Sequence, residues 1–63
     1  MSLGRKLRLL RGDKSMSQIA ADLGITKSSW NMYERDERVP RDEVKVRIAS
    51  YFKTSVQDIF FTD

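Results

Sequence analysis

The sequence predicts an all-α fold, a compact bundle of five short helices that forms one domain over residues 1–63. Apolar residues recur at spacings of three and four along most of the chain, as in helices with one buried face. Serine or threonine stands where several of these segments begin, as N-caps do. The chain has neither Cys nor His. Close helix packing or a partner subunit, rather than disulfides or a zinc site, must therefore stabilise so short a chain.

The first helix is predicted from Leu3, Leu7 and Leu10, which share one face at positions i, i+4 and i+7. The segment "RGDK" at residues 11–14 follows, and its Gly-Asp pair is typical of a turn. We therefore expect the chain to reverse direction directly after this helix.

The second and third helices are predicted from their capping residues. Residues 15–18, "SMSQ", match a capping box, in which Ser15 accepts from the Gln18 N–H and the Gln18 side chain reaches back to the cap. Gly24 suits the left-handed conformation that ends a helix. Thr26 is a natural N-cap for a third helix over residues 27 to about 35.

The last two helices follow a charged loop. A fourth helix is predicted over about residues 41–52, and a short fifth helix begins at a second capping box, residues 55–58. Acidic residues in the first turn of the fourth helix suit the positive end of its dipole. The apolar residues predicted to face inward are Val44, Ile48, Tyr51, Phe52, Ile59 and Phe60.

The third predicted helix has two chemically different faces. At about 100° of rotation per residue, Trp30 and Tyr33 fall on the same side of the helix. Two aromatic side chains on one arc bury a large apolar area, so this side must pack against the bundle. The opposite side, here called the recognition face, then points outward. It consists of Lys27, Ser28, Asn31 and Met32, with Arg35 beside them.

The recognition face suits base pairs in a DNA major groove. Asn can pair with adenine through two hydrogen bonds, Lys can donate to guanine, Ser can pair with several base edges, and an apolar group can contact the thymine methyl. An exposed Met32 alone is equally compatible with an ordinary surface. A capped helix, a three-residue turn and a second capped helix, over about residues 15–35, predict a helix-turn-helix.

Charge and composition favour nucleic acid over other partners. Twelve Lys and Arg residues oppose nine Asp and Glu residues, and the net charge is +3 with a pI near 9.6. A basic domain of this kind is typical of nucleic-acid binders. Without His or Cys, no serine has a base and no usual metal site can form, so we expect no enzyme and no cofactor. No apolar run could span a membrane or direct secretion, which predicts a cytoplasmic protein, and no small-molecule pocket is evident.

The segment 15–44, "SMSQIAADLGITKSSWNMYERDERVPRDEV", is followed by "IASYF" and "SVQDIFF". In order and spacing these pieces resemble the lambda-repressor/Cro-like, or Xre-type, family of bacterial and phage transcription regulators. The resemblance covers nearly the whole chain. It implies a lambda-repressor-like fold that binds double-stranded DNA through a helix-turn-helix.

The resemblance also implies roles for individual residues. The family's base-contacting positions are matched by Lys27, Ser28, Asn31 and Met32, the same four that the helical periodicity exposes. Its phosphate-contacting positions are matched by Ser15, Arg35 and Arg38. Arg11 and Glu34 match a common internal ion pair between the first and third helices.

Three residues depart from the family pattern. Met16 stands where many members carry a phosphate-binding Gln, so a packing role is expected there. Asp36 stands where many have Gly, although Asp adopts the left-handed conformation only at some cost. Trp30 replaces a smaller aliphatic residue, and we expect it in the core because it shares the arc of Tyr33.

These observations predict a sequence-specific transcriptional regulator, a repressor that binds a palindromic operator as a homodimer through the helix at 27–35. The alternative is a protein-interaction module, such as an antitoxin or adaptor, because one fold serves many functions. Phe61 and Val46 have no place on the predicted core faces. They are candidates for a subunit contact near an acidic end that includes Asp58 and Asp63, while a Phe61 folded back onto the bundle is equally open.

Overall fold

In a computed structural model that describes residues 2–61, the chain forms five α-helices and no strand. Asp63 of the predicted acidic end lies outside these residues. The predicted all-α bundle is thus confirmed. The helices are α1 Leu3–Arg11, α2 Met16–Leu23, α3 Lys27–Glu34, α4 Asp42–Tyr51 and α5 Val56–Phe60.

Three of the five helices begin at the N-caps that the sequence predicts. The hydroxyls of Ser15, Thr26 and Ser55 accept from the backbone N–H three residues later, at 3.1, 3.0 and 3.0 Å. Each bond satisfies a backbone donor that has no partner within its helix. Gly24 ends α2 with a φ of 72°, in the left-handed region. The short segment from Gly24 to Thr26 therefore sets the direction of α3 relative to α2.

The predicted return bond of the capping box at α2, from the Gln18 side chain to Ser15, is wrong. The Gln18 side chain does not return to Ser15; its Nε2 donates to Asp22 Oδ1 at 2.8 Å. Gln18 and Asp22 are one helical turn apart, which brings side chains on an exposed helix surface together. The nearby carboxylate is therefore the partner that Gln18 takes.

The core lies between the helices and is apolar throughout the described residues. Its largest fully buried side chains come from four different helices: Leu7, Ile19, Trp30 and Ile48. Tyr51 and Phe52 are half-buried and pack at its edge, with their rings edge to face at 5.0 Å. Leu10, predicted on the inner face of α1, is instead 38% exposed. It lies in the last turn of α1, beside an open groove against α5.

The close contact between α1 and the end of α3 depends on Gly4 and Asp36. The Gly4 N–H donates to Asp36 Oδ1 at 2.9 Å, so Asp36 supplies a partner for the first turn of α1. Asp36 has a φ of 58°. Its tertiary hydrogen bond offsets the cost of a left-handed conformation for a residue other than Gly. Asp in this position thus has a structural role in the fold.

Candidate nucleic-acid interface

The rotation of α3 about its own axis is set by two buried aromatic side chains. Trp30 is 0% exposed and Tyr33 is 6% exposed. The Trp30 ring lies 6.5 Å from that of Phe52 at the end of α4, and its indole N–H donates to the Glu34 carboxylate. The prediction that Trp30 belongs to the core is confirmed.

With the rings turned inward, the recognition face lies outward as predicted. Lys27 and Ser28 are exposed, whereas Asn31 and Met32 are half-buried and still partly open to solvent. The polar groups of Lys27, Ser28 and Asn31 form no side-chain hydrogen bond with the rest of residues 2–61. Their donors and acceptors are therefore available to a ligand.

A partly buried ion pair holds the C-terminal end of α3 against α1. Arg11 Nε lies 2.6 Å from Glu34 Oε2, and Arg11 Nη2 donates to Glu34 Oε1 at 3.1 Å. This two-point contact, implied by the family resemblance, is confirmed. The hydrogen bond to Glu34, with its negative charge, raises the pKa of Arg11. Because Glu34 also accepts from Trp30, one carboxylate fixes both the end of α3 and its buried ring.

The residues that match phosphate-contacting positions lie at two helix ends. Ser15 is exposed at the start of α2; its oxygen caps the helix, and its hydroxyl proton remains available to a second partner. Arg35 and Arg38 are exposed in the segment after α3. Arg35 Nη2 lies 3.3 Å from Glu37 Oε2, in a solvent-exposed ion pair that contributes little to stability. Arg38 has no ion-pair or hydrogen-bond partner among residues 2–61.

A family model described as a helix-turn-helix domain matches residues 2–59, almost the whole chain. The chain belongs to the Xre/Cro-like helix-turn-helix family. A helix-turn-helix domain suggests DNA binding. A comparison with curated proteins found no significant match. In this helix-turn-helix domain, α2 and α3 are the two helices of the motif, and the segment from Gly24 to Thr26 is its turn.

A hydrogen-bonded network beside the motif is not predicted by the sequence. Lys14 Nζ donates to the Tyr51 hydroxyl at 2.7 Å, and that hydroxyl donates to Asp22 Oδ2 at 2.7 Å. These bonds raise the pKa of Lys14 and lower that of Asp22. The sequence predicts Tyr51 only as an inward-facing residue of α4, and its spacing does not bring these three positions together. The network joins the turn after α1 to both α2 and α4.

Met16, at the start of α2, is half-buried and packs against the core, in keeping with the packing role expected of it. Within residues 2–61, no group of acidic residues is arranged to hold a metal ion. None of the helices described is long and apolar enough to cross a membrane.

Proposed function

We propose that this helix-turn-helix domain is a sequence-specific DNA-binding repressor that acts as a homodimer on a palindromic operator. The observation that supports it best is the rotation of α3, which buries Trp30 and Tyr33 and turns Lys27, Ser28, Asn31 and Met32 outward. In helix-turn-helix proteins the second helix of the motif enters the major groove, and residues near its N-terminus contact the bases.

The four residues of the recognition face supply complementary kinds of base contact. Lys27 and Asn31 carry donors that pair with guanine and with adenine, respectively, and Ser28 can pair with either purine or pyrimidine edges. The half-buried Met32 presents an apolar surface that suits a thymine methyl. A short helix with this mixture can distinguish several base pairs in succession.

Ser15, Arg35 and Arg38 serve, in this proposal, as contacts to the DNA backbone. Such contacts position a protein on the duplex without specifying its sequence. Ser15 lies at the first helix of the motif, which crosses the backbone in known arrangements, and the two arginines follow the second helix. The backbone is therefore contacted on both sides of the inserted helix.

Selection of random duplexes on the purified protein tests this proposal. We expect a palindrome with two half-sites about one helical turn apart to be enriched. Arg35 and Arg38 supply four charged phosphate contacts per dimer, so the log–log slope of affinity against salt should be negative and at least about 3.6 in magnitude. Failure to enrich any sequence, with a salt slope near zero, would contradict a DNA-binding function.

A protein-interaction module remains the second candidate because several large apolar side chains are exposed. Leu9 and Phe61 are each 63% exposed, and Val46 is 59% exposed. Apolar residues of this kind are used in the centre of protein interfaces. The recognition face argues against that role for α3, since lysine is depleted in such centres. Absence of duplex selection at low salt, together with tight binding of a protein partner, would favour this second function.

A further inference from the structure

A cleft between α3 and α4 concentrates positive charge next to the helix-turn-helix motif. Its volume is about 300 Å³, at the small end of the range for ligand pockets. Three arginines line it, namely Arg38, Arg41 and Arg47, and Glu43 is its one carboxylate. We call it the arginine cleft. On the side of α3 it is lined by Thr26, Ser29 and Tyr33.

The charges of the arginine cleft are not neutralised within the described part of the chain. The side chains of Arg38 and Arg41 form neither an ion pair nor a hydrogen bond within residues 2–61, and Glu43 forms no ion pair there. Arg47 Nη1 donates to the Leu23 carbonyl at 3.3 Å, which holds this guanidinium group beside the end of α2. Three guanidinium groups thus share a small space with one carboxylate, an arrangement that an anion would stabilise.

The α3 wall of the cleft offers a neutral donor as well. The Ser29 N–H donates to Thr26 Oγ1 at 3.0 Å, and the Thr26 hydroxyl donates in turn to Ser29 Oγ at 2.9 Å. Ser29 Oγ accepts in this bond, so the Ser29 hydroxyl proton is not used in it. No other group in residues 2–61 accepts that proton. Ser29 lines the cleft and is half-buried, so this proton can be donated to a ligand oxygen there.

We infer that the arginine cleft binds a phosphate group, with Arg38, Arg41 and Arg47 supplying the charge and Ser29 a hydroxyl donor. Guanidinium groups match phosphate because their N–H groups form paired hydrogen bonds to two oxygens. A phosphate presents several strong acceptor oxygens, which suits donors that approach from both α3 and α4. Arg41 at the N-cap of α4, Arg47 within α4 and Ser29 of α3 thereby become binding residues.

The expected source of the phosphate is the DNA backbone, and this part of the inference rests on the proposed function. The cleft includes Arg38 and adjoins the N-terminal turn of α3, whose residues Lys27 and Ser28 belong to the recognition face. A helix inserted in a major groove has backbone phosphates along both of its sides. Free phosphate has the same chemistry and is the other possible source.

The DNA source is tested with Arg41→Gln and Arg47→Gln, each compared with Lys53→Gln. Lys53→Gln removes the same charge beyond the opposite end of α4, a ten-residue helix about 15 Å long. We expect each cleft variant to reduce the magnitude of the salt slope by about 0.9 for every phosphate that it no longer neutralises. Preference among duplex sequences should not change, because phosphate contacts carry no sequence information. The Arg41 side chain makes no hydrogen bond within residues 2–61, so its variant stays informative even if removal of the bond to Leu23 destabilises Arg47→Gln.

Titration with inorganic phosphate, followed by the NMR signals of the Thr26 and Ser29 amides, separates the two sources. A saturable shift that is abolished in Arg41→Gln, with an unchanged salt slope, would assign the cleft to free phosphate. The inference is overturned if the salt slopes of both cleft variants equal that of Lys53→Gln and phosphate shifts Ser29 equally in wild type and Arg41→Gln. If the wild type binds no duplex DNA, the proposed function fails. The phosphate titration alone then tests whether the arginine cleft binds phosphate.

Discussion

Trp30 decides how α3 faces the rest of the molecule. It is the largest fully buried side chain and belongs to a helix of only eight residues. Trp30→Ala should destabilise the fold by about 3–5 kcal/mol, because it removes a large apolar surface and leaves a cavity. Urea denaturation followed by circular dichroism measures this loss. A mutant that unfolds at the wild-type midpoint would show that the ring does not anchor α3.

Glu34 should contribute far more to stability than its neighbour Glu37. The Glu34 side chain is 8% exposed and accepts from both Arg11 and Trp30, whereas the Glu37 side chain forms only an exposed ion pair with Arg35. Glu34→Gln removes the negative charge that pairs with Arg11, although Arg11 keeps its bond to the Lys14 carbonyl, and should cost about 2–3 kcal/mol. The matched variant Glu37→Gln should cost under about 1 kcal/mol. Equal free energies of unfolding for the two variants would contradict this account of the α1–α3 contact.

At the residue scale, helical periodicity in the sequence predicts which side chains are buried and which are exposed. Sequence patterns locate Trp30 and Tyr33 on the buried arc of α3 and, through the family resemblance, the Arg11–Glu34 pair. They do not predict that Asp36 accepts from Gly4, because that bond joins residues distant in sequence. The same limit applies to the bonds of Tyr51, whose partners lie in other elements.

At the scale of elements, α1 and α3 approach closely enough to exclude a side chain at Gly4. A Cβ atom there would lie well inside van der Waals contact of the Glu34 carbonyl oxygen. Gly4→Ala should therefore destabilise the fold by about 1–3 kcal/mol despite the better helix propensity of Ala. Arg5→Ala, at the adjacent exposed position, should change stability by less than about 0.5 kcal/mol. Thermal unfolding of both variants provides the measurement, and a stabilised Gly4→Ala protein would contradict this packing.

The helices themselves are largely predictable, because most of their starts carry a local signal. Ser15, Thr26 and Ser55 cap α2, α3 and α5 as expected, since a capping bond spans only three residues. The exposure of Leu10 is not predictable from spacing alone. Whether the last turn of α1 is covered depends on where α5 packs, and no pattern within α1 specifies that position.

At the scale of the whole molecule, residues 2–61 contain a single α3 and extend 26 Å along their longest axis. The proposed half-sites, one helical turn apart, are separated by about 34–36 Å, and each takes one recognition helix. A palindromic operator therefore requires two copies, each with one α3 in the groove. The structure contains a single chain, and the homodimer is part of the proposed function.

Phe61 is the residue whose substitution tests the proposed dimer contact. It is 63% exposed at the end of α5, and Lys45 Nζ lies 5.1 Å from its ring centre. Phe61→Asp should convert a dimer to a monomer in sedimentation and lower operator affinity, because a buried charge at a subunit contact is costly. Gln57→Asp adds the same charge at an exposed position of α5 and should do neither. Unchanged mass and affinity in Phe61→Asp would remove Phe61 from the interface.

The most direct test of the central claim measures how single substitutions on α3 alter discrimination between base pairs. On a selected operator and its single-base-pair variants, Asn31→Ala and Met32→Ala should each weaken binding by about 1–3 kcal/mol and relax preference at one position. Arg38→Ala should instead weaken binding to all duplexes alike. If the position-31 and position-32 variants bind operator and random DNA with equally reduced affinity, the outward face of α3 does not contact the bases.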